Sequence, residues 1–439
     1  MTGNLALDRQ LERWYPLIDH PVQLALCEAV SKGVRFPLAP AGRRSGKTER
    51  FKRFLVKQAS TIPGQYYAAA PTYGQAKKIF WKDLKDFCLS TSLPKRPSES
   101  ELIIYLPNGS EIHVIGLDKP ERIEGIPWKG GGIDEFGSVK PTAWAENIFP
   151  ALNTVNPLDP DYRAWSWLLG VPEGLNHYYD LCQVADAGSD DNFKVFHWKS
   201  EDILPPDVIA AAKKALSPRQ YRQEFEASFE TASGRVYEDY SKANYTDEVI
   251  KPTEQLHWMH DQNYTPLSSG VGVIRGEALY LLDEIILEGA VSRQSAVEFV
   301  EKYKDHKNKH VILYGDPSGK NGEKHGHASD YTEIEGVLAS SGWLCTRKVA
   351  KAHPAIKDRQ NSVRAKIMTA SGDVSLFVNP LTAPWCHKGL ATVQLQKGSS
   401  FQEDEKNAFQ HITTAIGYMV SVVWPIEEKL AAINVNFAY

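Results

Sequence analysis

AGRRSGKT, residues 41–48, follows the apolar run VRFPLAP (34–40) and leads into ERFKRFLVKQA (49–59), which has helical character. A bound phosphate needs these parts in this order: a strand, a loop whose backbone N–H groups turn inward, and a helix N-terminus. It also needs a lysine for the β- and γ-phosphates and a hydroxyl for Mg²⁺. Lys47 and Thr48 stand at those last two places, preceded by Ser45 and Gly46. One departure is visible. The standard pattern opens on a glycine where this chain has Ala41, and Gly42 follows one step later. A Gly-Lys-Ser/Thr triplet arises by chance in about one chain in five of this length, so the surrounding sequence must decide.

The surroundings supply a second half-site. GGGIDEFG (130–137) is an apolar strand ending in two acids, Asp134 and Glu135, 87 residues after Lys47. An acid at a strand end holds Mg²⁺, and a following Glu polarises water. Either motif alone is an ordinary surface feature; both at strand ends, in the right order, predict a nucleotide hydrolase.

Composition sets the frame. The chain has 439 residues, 42% of them hydrophobic, enough for two to four domains with large cores. Its formal net charge of −4 gives no global field for nucleic acid, so such a partner must be held by local patches. The five cysteines are widely spaced and contain no C-x-x-C, which argues against a disulfide framework or structural zinc and for a reducing compartment. Charges at positions 8, 9, 12 and 13 do not read as a signal peptide, and ITTAIGYMVSVVWPI (412–426) is too short to span a bilayer.

Along the chain, strand-like runs alternate with helical ones, which predicts an α/β fold. QYYAAA (65–70), 130–133 and 165–169 read as strands, and AKKIFWKDLKDFCL (76–89) as a helix. Residues 101–106 and 111–115 flank Pro-Asn-Gly as a hairpin. Residues 205–230 read as a helical connector. A second cycle follows: a short strand at 257–261, a hairpin at 270–274 and 278–286, a helix at 295–303 and a strand at 310–314. The expected organisation is an N-terminal domain over 1–200, a linker over 201–250 and a second domain over 251–439.

At this point the motifs resemble a known family. AGRRSGKT with two arginines inside the loop, followed by the acid pair, looks like the ATPase of viral DNA-packaging terminases, the large subunit. HPVQLALCEA (20–29) resembles that family's glutamine motif, which implies Gln23 near the adenine. ERIEGIPWKGGGIDE (121–135) resembles the segment ahead of the acids, and it matches Arg122 to an arginine reaching a neighbouring subunit's γ-phosphate. LLGVPEGLNHYYDL (168–181) resembles the strand and turn that couple hydrolysis to movement, with Val171 where the family usually has Thr or Ser. Of Arg43 and Arg44, one is expected to sense phosphate. The resemblance implies ATP and Mg²⁺ as cofactors, with Asp134 holding the ion and Glu135 orienting the attacking water.

The second half has its own acids. Two-metal phosphodiester cleavage needs carboxylates from different strands around two ions, and hard oxygen ligands suit Mg²⁺ or Mn²⁺. Asp261 and Asp316 each end an apolar run, where an acid also serves simply to cap a loop. Here too the order of segments, 260–285, 311–319, 326–335 and 353–367, resembles the RNase H-like nuclease domain of terminase large subunits. That implies Asp261 and Asp316 as metal ligands. The family's last motif is a His, two residues, then Asp-Ala; HITTAIGY (411–418) puts Thr414 at the carboxylate's place. Asp404, His411 and Glu284 are the candidate replacements. His325 and His327 are weaker candidates, since His does not suit a hard cation. The stretch 347–366 carries Arg347, Lys348, Lys351, Lys357, Arg359, Arg364 and Lys366 against Asp358. It reads either as a solvated helix face or as a groove tracking DNA phosphates.

The resemblance thus implies a P-loop ATPase of the RecA-like kind followed by an RNase H-like nuclease. Such a chain pumps double-stranded DNA into a procapsid and cuts the concatemer. The implied partners are a portal protein, a terminase small subunit and further copies in a ring, a pentamer, with no membrane, acting in the host cell cytoplasm. The rivals are an ATP-dependent helicase or repair nuclease, and a packaging ATPase whose second half has become a DNA- or portal-docking module.

Overall fold

Thirteen strands are laid down in two sheets in the computed structural model, which describes residues 13–88, 93–153, 162–230, 234–261, 266–320, 329–396, 399, 401–404 and 406–426. The chain separates into two compact units. One comprises residues up to Ile209 with Arg222–Glu230; the other comprises Ala210–Tyr221 and the chain from Thr231 on. Helices Pro206–Ala215 and Pro218–Phe225 straddle that division.

In the first unit the strands are β1 (Phe36–Pro40), β2 (Gln65–Ala70), β3 (Ile103–Tyr105), β4 (Glu111–Gly116), β5 (Trp128–Ile133), β6 (Trp165–Gly170) and β7 (Phe193–Val195). They form one sheet in the order β3-β4-β2-β5-β6-β1-β7. Every pairing is parallel except β3 with β4, the hairpin expected around Pro-Asn-Gly. Parallel strands are covered on both faces and therefore read as continuous apolar runs; β1 and β6 are buried throughout.

The three glycines of β5 explain how closely this sheet is filled. A Cβ on Gly130 would lie 2.1 Å from the Trp165 ring, one on Gly131 2.4 Å from Tyr67, and one on Gly132 2.4 Å from Phe51. Alternate side chains leave a strand on opposite faces. The rings of Trp165 and Phe51 accordingly belong to one core cluster and that of Tyr67 to the other. Helix Lys47–Thr61 buries Phe51, Leu55, Val56 and Ala59 on the first of these faces. The helix expected at 76–89 starts earlier, at Tyr73, and passes through a π-helical turn, Lys77–Trp81, before ending at Cys88.

The second unit has β8 (Leu256–Asp261), β9 (Leu267–Arg275), β10 (Ala278–Leu287), β11 (His310–Gly315), β12 (Leu344–Arg347) and β13 (Leu376–Val378), in the order β12-β11-β8-β9-β10-β13. β8, β9 and β10 form an antiparallel meander, while β11 joins β8 and β12 joins β11 in parallel. Helices Ser292–Lys302 and Asp330–Ser340 pack on the face bearing Trp258, and helices Ile356–Ile367, Pro384–Thr392 and Gln410–Val423 on the face bearing Met259. This mixed α/β pair of sheets is the expected fold class.

The basic stretch is a correction. Helix Ile356–Ile367 is neither a solvated face nor a groove: Arg359, Arg364 and Lys366 are all buried. Arg364 donates to the Val236 carbonyl and to Asn361, Lys366 reaches the Glu277 carbonyl, and Arg359 pairs with Glu403. Burial beside Arg219 pulls the Arg364 guanidinium down to about 10. A count of charges cannot show that their heads are satisfied inside. Arg347, Lys348 and Lys351 stay exposed. No helix among the described residues is long and apolar enough to cross a membrane.

Candidate functional site

β1 and β5 lie on either side of β6 and run parallel to it, so their C-terminal ends open on one edge of the sheet. Open α/β sheets bind ligands at that edge. The loop after β1 carries residues 41–46, and helix Lys47–Thr61 begins directly behind it. Gly46 has φ 84°, the left-handed conformation that lets the loop turn into the helix. The glycine displaced to position 42 has a different reason. A Cβ there would lie 2.3 Å from Ser200 Oγ and 2.7 Å from the Phe225 carbonyl. The position needs a missing side chain, not a special dihedral.

Thr48 Oγ1 donates to Asp134 Oδ2 at 2.6 Å, which joins the two sequence motifs directly. Hydroxyl and carboxylate oxygens side by side are the donor set that Mg²⁺ accepts, so these residues fit the implied ion. Lys47 is buried, and its charge favours the ionised form of Glu135. Burial outweighs that effect and raises the Glu135 carboxyl above its ordinary range, with the Asp134 charge adding to the rise. Glu135 also has φ 52°, and Arg44 in the loop has φ 58°. Left-handed conformations of non-glycine residues cost about 1–3 kcal/mol each and gather at functional sites.

Gln23 lies against the loop. Its Nε2 donates to the Ser45 carbonyl at 2.7 Å and its Oε1 accepts from Arg50. Trp198 Nε1 donates to the same carbonyl, and Ser45 Oγ donates to the Gly42 carbonyl. Arg43 Nε meets Glu224 Oε2 at 2.5 Å. Arg122 is exposed on the turn Pro120–Ile123 between β4 and β5. The segment after the acids is tied to the turn after β6. Asn176 Nδ2 donates to the Gly137 carbonyl, and a Cβ on Gly170, just before Val171, would lie 3.4 Å from the Phe136 nitrogen. Sequence reasoning missed Glu224 and Asn176. Glu224 belongs to no motif; Asn176 lies within the 168–181 segment and caps the helix that follows, but its bond to Gly137 is remote in sequence.

In the second unit, Gly315 of β11 is in register with His260 of β8. The next residues, Asp316 and Asp261, therefore leave neighbouring strands, about 4.8 Å apart, at the same level. Helix Gln410–Val423 lies over them. His411 Nδ1 contacts Asp261 Oδ2 at 3.0 Å, and the Tyr418 hydroxyl donates to Asp316 Oδ2 at 3.3 Å. Asp316 Oδ1 also accepts from the Ser318 N–H and hydroxyl and lies 3.5 Å from His353 Nε2. Residues three and four apart share a helix face, so Thr414 sits between His411 and Tyr418, facing the two acids.

Of the candidate replacements for a third carboxylate, His411 stays on Asp261, and the other two make other contacts. Glu284 accepts from the backbone N–H groups of Trp385 and Cys386, capping helix Pro384–Thr392. Asp404 takes the Lys406 N–H within a turn. Its neighbour Glu403, overlooked in the sequence, is buried, and the Asp261 charge contributes to raising its carboxyl; burial is the larger cause. Glu403 is held by Gln360 and Arg359. Among the described residues no three His, Cys, Asp or Glu side chains are grouped to hold a metal. Two carboxylates balance one divalent cation, while two ions would leave two charges uncompensated. Among the described residues, Asp261 and Asp316 by themselves do not fit a two-ion centre. His325 and His327 lie outside the described residues.

Residues 38–143 match the family model for the terminase large subunit, T4likevirus-type, N-terminal. The large terminase of a thermophilic bacteriophage shares the fold at TM-score 0.62 and 16% identity, covering 93% of this chain and 99% of that one. The same phage protein in complex with ATP-gamma-S matches at TM-score 0.60 and 17% identity, over 92% of this chain and 98% of that one. Its ADP complex matches at TM-score 0.61 and 16% identity, over 92% and 99%. No curated protein sequence matches the chain.

Proposed function

We propose that this chain, which carries a terminase large-subunit N-terminal domain and the fold of a phage large terminase, is the ATP-driven motor that moves double-stranded viral DNA into a procapsid. One observation carries the reading: the 2.6 Å bond from Thr48 to Asp134, which closes the phosphate loop on the acid pair. In this reading Lys47 neutralises the β- and γ-phosphates, and the helix N-terminus behind it adds a fixed positive end. A bound Mg²⁺ supplies charge neutralisation at the phosphates; Thr48 and Asp134 would hold it. Glu135 orients the attacking water, and burial raises its carboxyl, which suits it to accept a proton. Gln23, already against Ser45, marks the side on which the base sits. Arg122, exposed on its turn, acts toward a neighbouring copy in a ring on the portal. Partners on this reading are DNA, the portal, a small subunit and other copies of the chain, in the host cytoplasm.

The test is hydrolysis by the purified chain. Glu135→Gln retains ATP binding and loses turnover; turnover equal to wild type sinks the assignment. A forked-duplex unwinding assay separates the motor from a helicase, which would part the strands.

The second unit engages the same DNA at the Asp261–Asp316 edge, as the nuclease part of the chain. A second reading is favoured by Thr414: with a hydroxyl rather than a carboxylate at that helix position, the unit serves as a docking module. Plasmid digestion in Mn²⁺ with wild type and Asp316→Ala decides. Cleavage abolished by the substitution supports the nuclease, and no cleavage by either protein supports docking.

A further inference from the structure

The loop arginine Arg43 has a partner built to hold it. Arg43 Nε lies 2.5 Å from Glu224 Oε2, and the Arg43 N–H donates to the Glu224 carbonyl at 2.6 Å. The Glu224 side chain is 7% exposed, whereas that of Arg43 is 43% exposed, so the carboxylate is the buried end of the pair and the guanidinium the end open to solvent. Ser200 Oγ donates to the Arg43 carbonyl at 2.8 Å, and Gly42 has no space for a Cβ against Ser200 and Phe225. The loop is thereby pressed onto the last turn of helix Pro218–Phe225. A carboxylate near a helix C-terminus is disfavoured by the helix dipole, which makes a cation there more strongly held.

We propose that Glu224 is a positioning residue for hydrolysis, holding Arg43 until a triphosphate competes for the same guanidinium. This rests on the ATPase reading above. Guanidinium pairs with carboxylate and with phosphate through the same forked donors. A γ-phosphate offers more charge than one carboxylate, so it draws Arg43 over, and a diphosphate does so less. Release leaves the buried Glu224 carboxylate without its cation, a state that is costly until the helix end shifts. The same helix begins among the residues of the second unit and ends among those of the first. Phosphate occupancy is thus transmitted to a segment continuous with both.

The experiment uses the full chain and titrates ATP-gamma-S and ADP against wild type, Glu224→Gln, Arg43→Ala and the double substitution, with KM and kcat for ATP. Glu224→Gln removes the competitor, so ATP-gamma-S binds about fivefold tighter and KM falls, while ADP affinity and kcat do not rise. In the Arg43→Ala background the same change has no effect. If Glu224→Gln weakens both nucleotides alike, leaves ATP-gamma-S affinity unchanged, or acts equally without Arg43, the positioning role is wrong. Should Glu224→Gln fail to fold, Glu224→Asp keeps the charge one methylene short and is read by the same criteria. A wild-type chain that binds neither nucleotide overturns the ATPase reading itself, a result distinct from the others.

Discussion

The two acid-bearing edges of this molecule are built alike and finished differently. In the first unit Asp134 leaves a parallel strand and meets Thr48 at 2.6 Å, with Lys47 and Glu135 in the same crevice. In the second, Asp261 and Asp316 leave adjacent parallel strands at one level, but the helix above them presents His411, Thr414 and Tyr418. Both architectures deliver carboxylates to the right place. Among the described residues, the first also brings a hydroxyl, a lysine and a second acid to its carboxylate. A fold can therefore bring a site together while a single helix position decides how much charge it can hold.

The largest effect expected is on the complete edge. Glu135→Gln reduces ATP turnover by about a hundredfold or more, and a loss under threefold in a steady-state assay would break the contrast. Next is the incomplete edge. Thr414→Asp adds a third carboxylate facing Asp261 and Asp316, so Mn²⁺ bound per chain without nucleotide rises from one ion to two. An Asp261→Asn/Asp316→Asn chain gives the background, and unchanged occupancy in Thr414→Asp would place Thr414 away from the ions.

Smaller effects probe the scaffolds. Gly131→Ala forces a methyl against the Tyr67 ring and is expected to cost about 1–3 kcal/mol, seen as earlier thermal unfolding of the first unit. Glu284→Gln weakens the cap on helix Pro384–Thr392 by about 1 kcal/mol without altering plasmid cleavage; a change in Mn²⁺ occupancy there would return Glu284 to the site. The mildest is a pH effect. Because burial raises the Glu135 carboxyl, turnover falls on acidification with a midpoint above the ordinary Glu value of about 4.3. A midpoint at or below that value would mean the crevice is wetter than its geometry shows.

Much of this is legible in the sequence. The strands at 65–70, 130–133 and 165–169, the hairpins and the order of the motifs follow from apolar runs punctuated by turn residues. Lys47, Thr48, Asp134 and Glu135 could be singled out because phosphate chemistry demands fixed spacing within short segments. Arg359, Arg364 and Lys366 could not be placed. Their aliphatic stems are buried and their heads are satisfied by carbonyls and by Glu403, partners remote in sequence. Glu284 was misleading for a related reason: a lone acid in a strand does not reveal that a helix begins 100 residues later with two N–H groups aimed at it. Glu224 and Glu403 matter through long-range neighbours, and no periodicity announces them.

The glycine run of β5 bears on how such a chain can change over time. With rings of Trp165, Tyr67 and Phe51 occupying the room where side chains would stand, Gly130, Gly131 and Gly132 cannot enlarge without displacing a ring. Substitution on that strand costs least when the opposing ring is trimmed as well, so the two changes favour each other. The path by which the acid pair could drift is narrow, set by steric crowding two residues upstream of the chemistry.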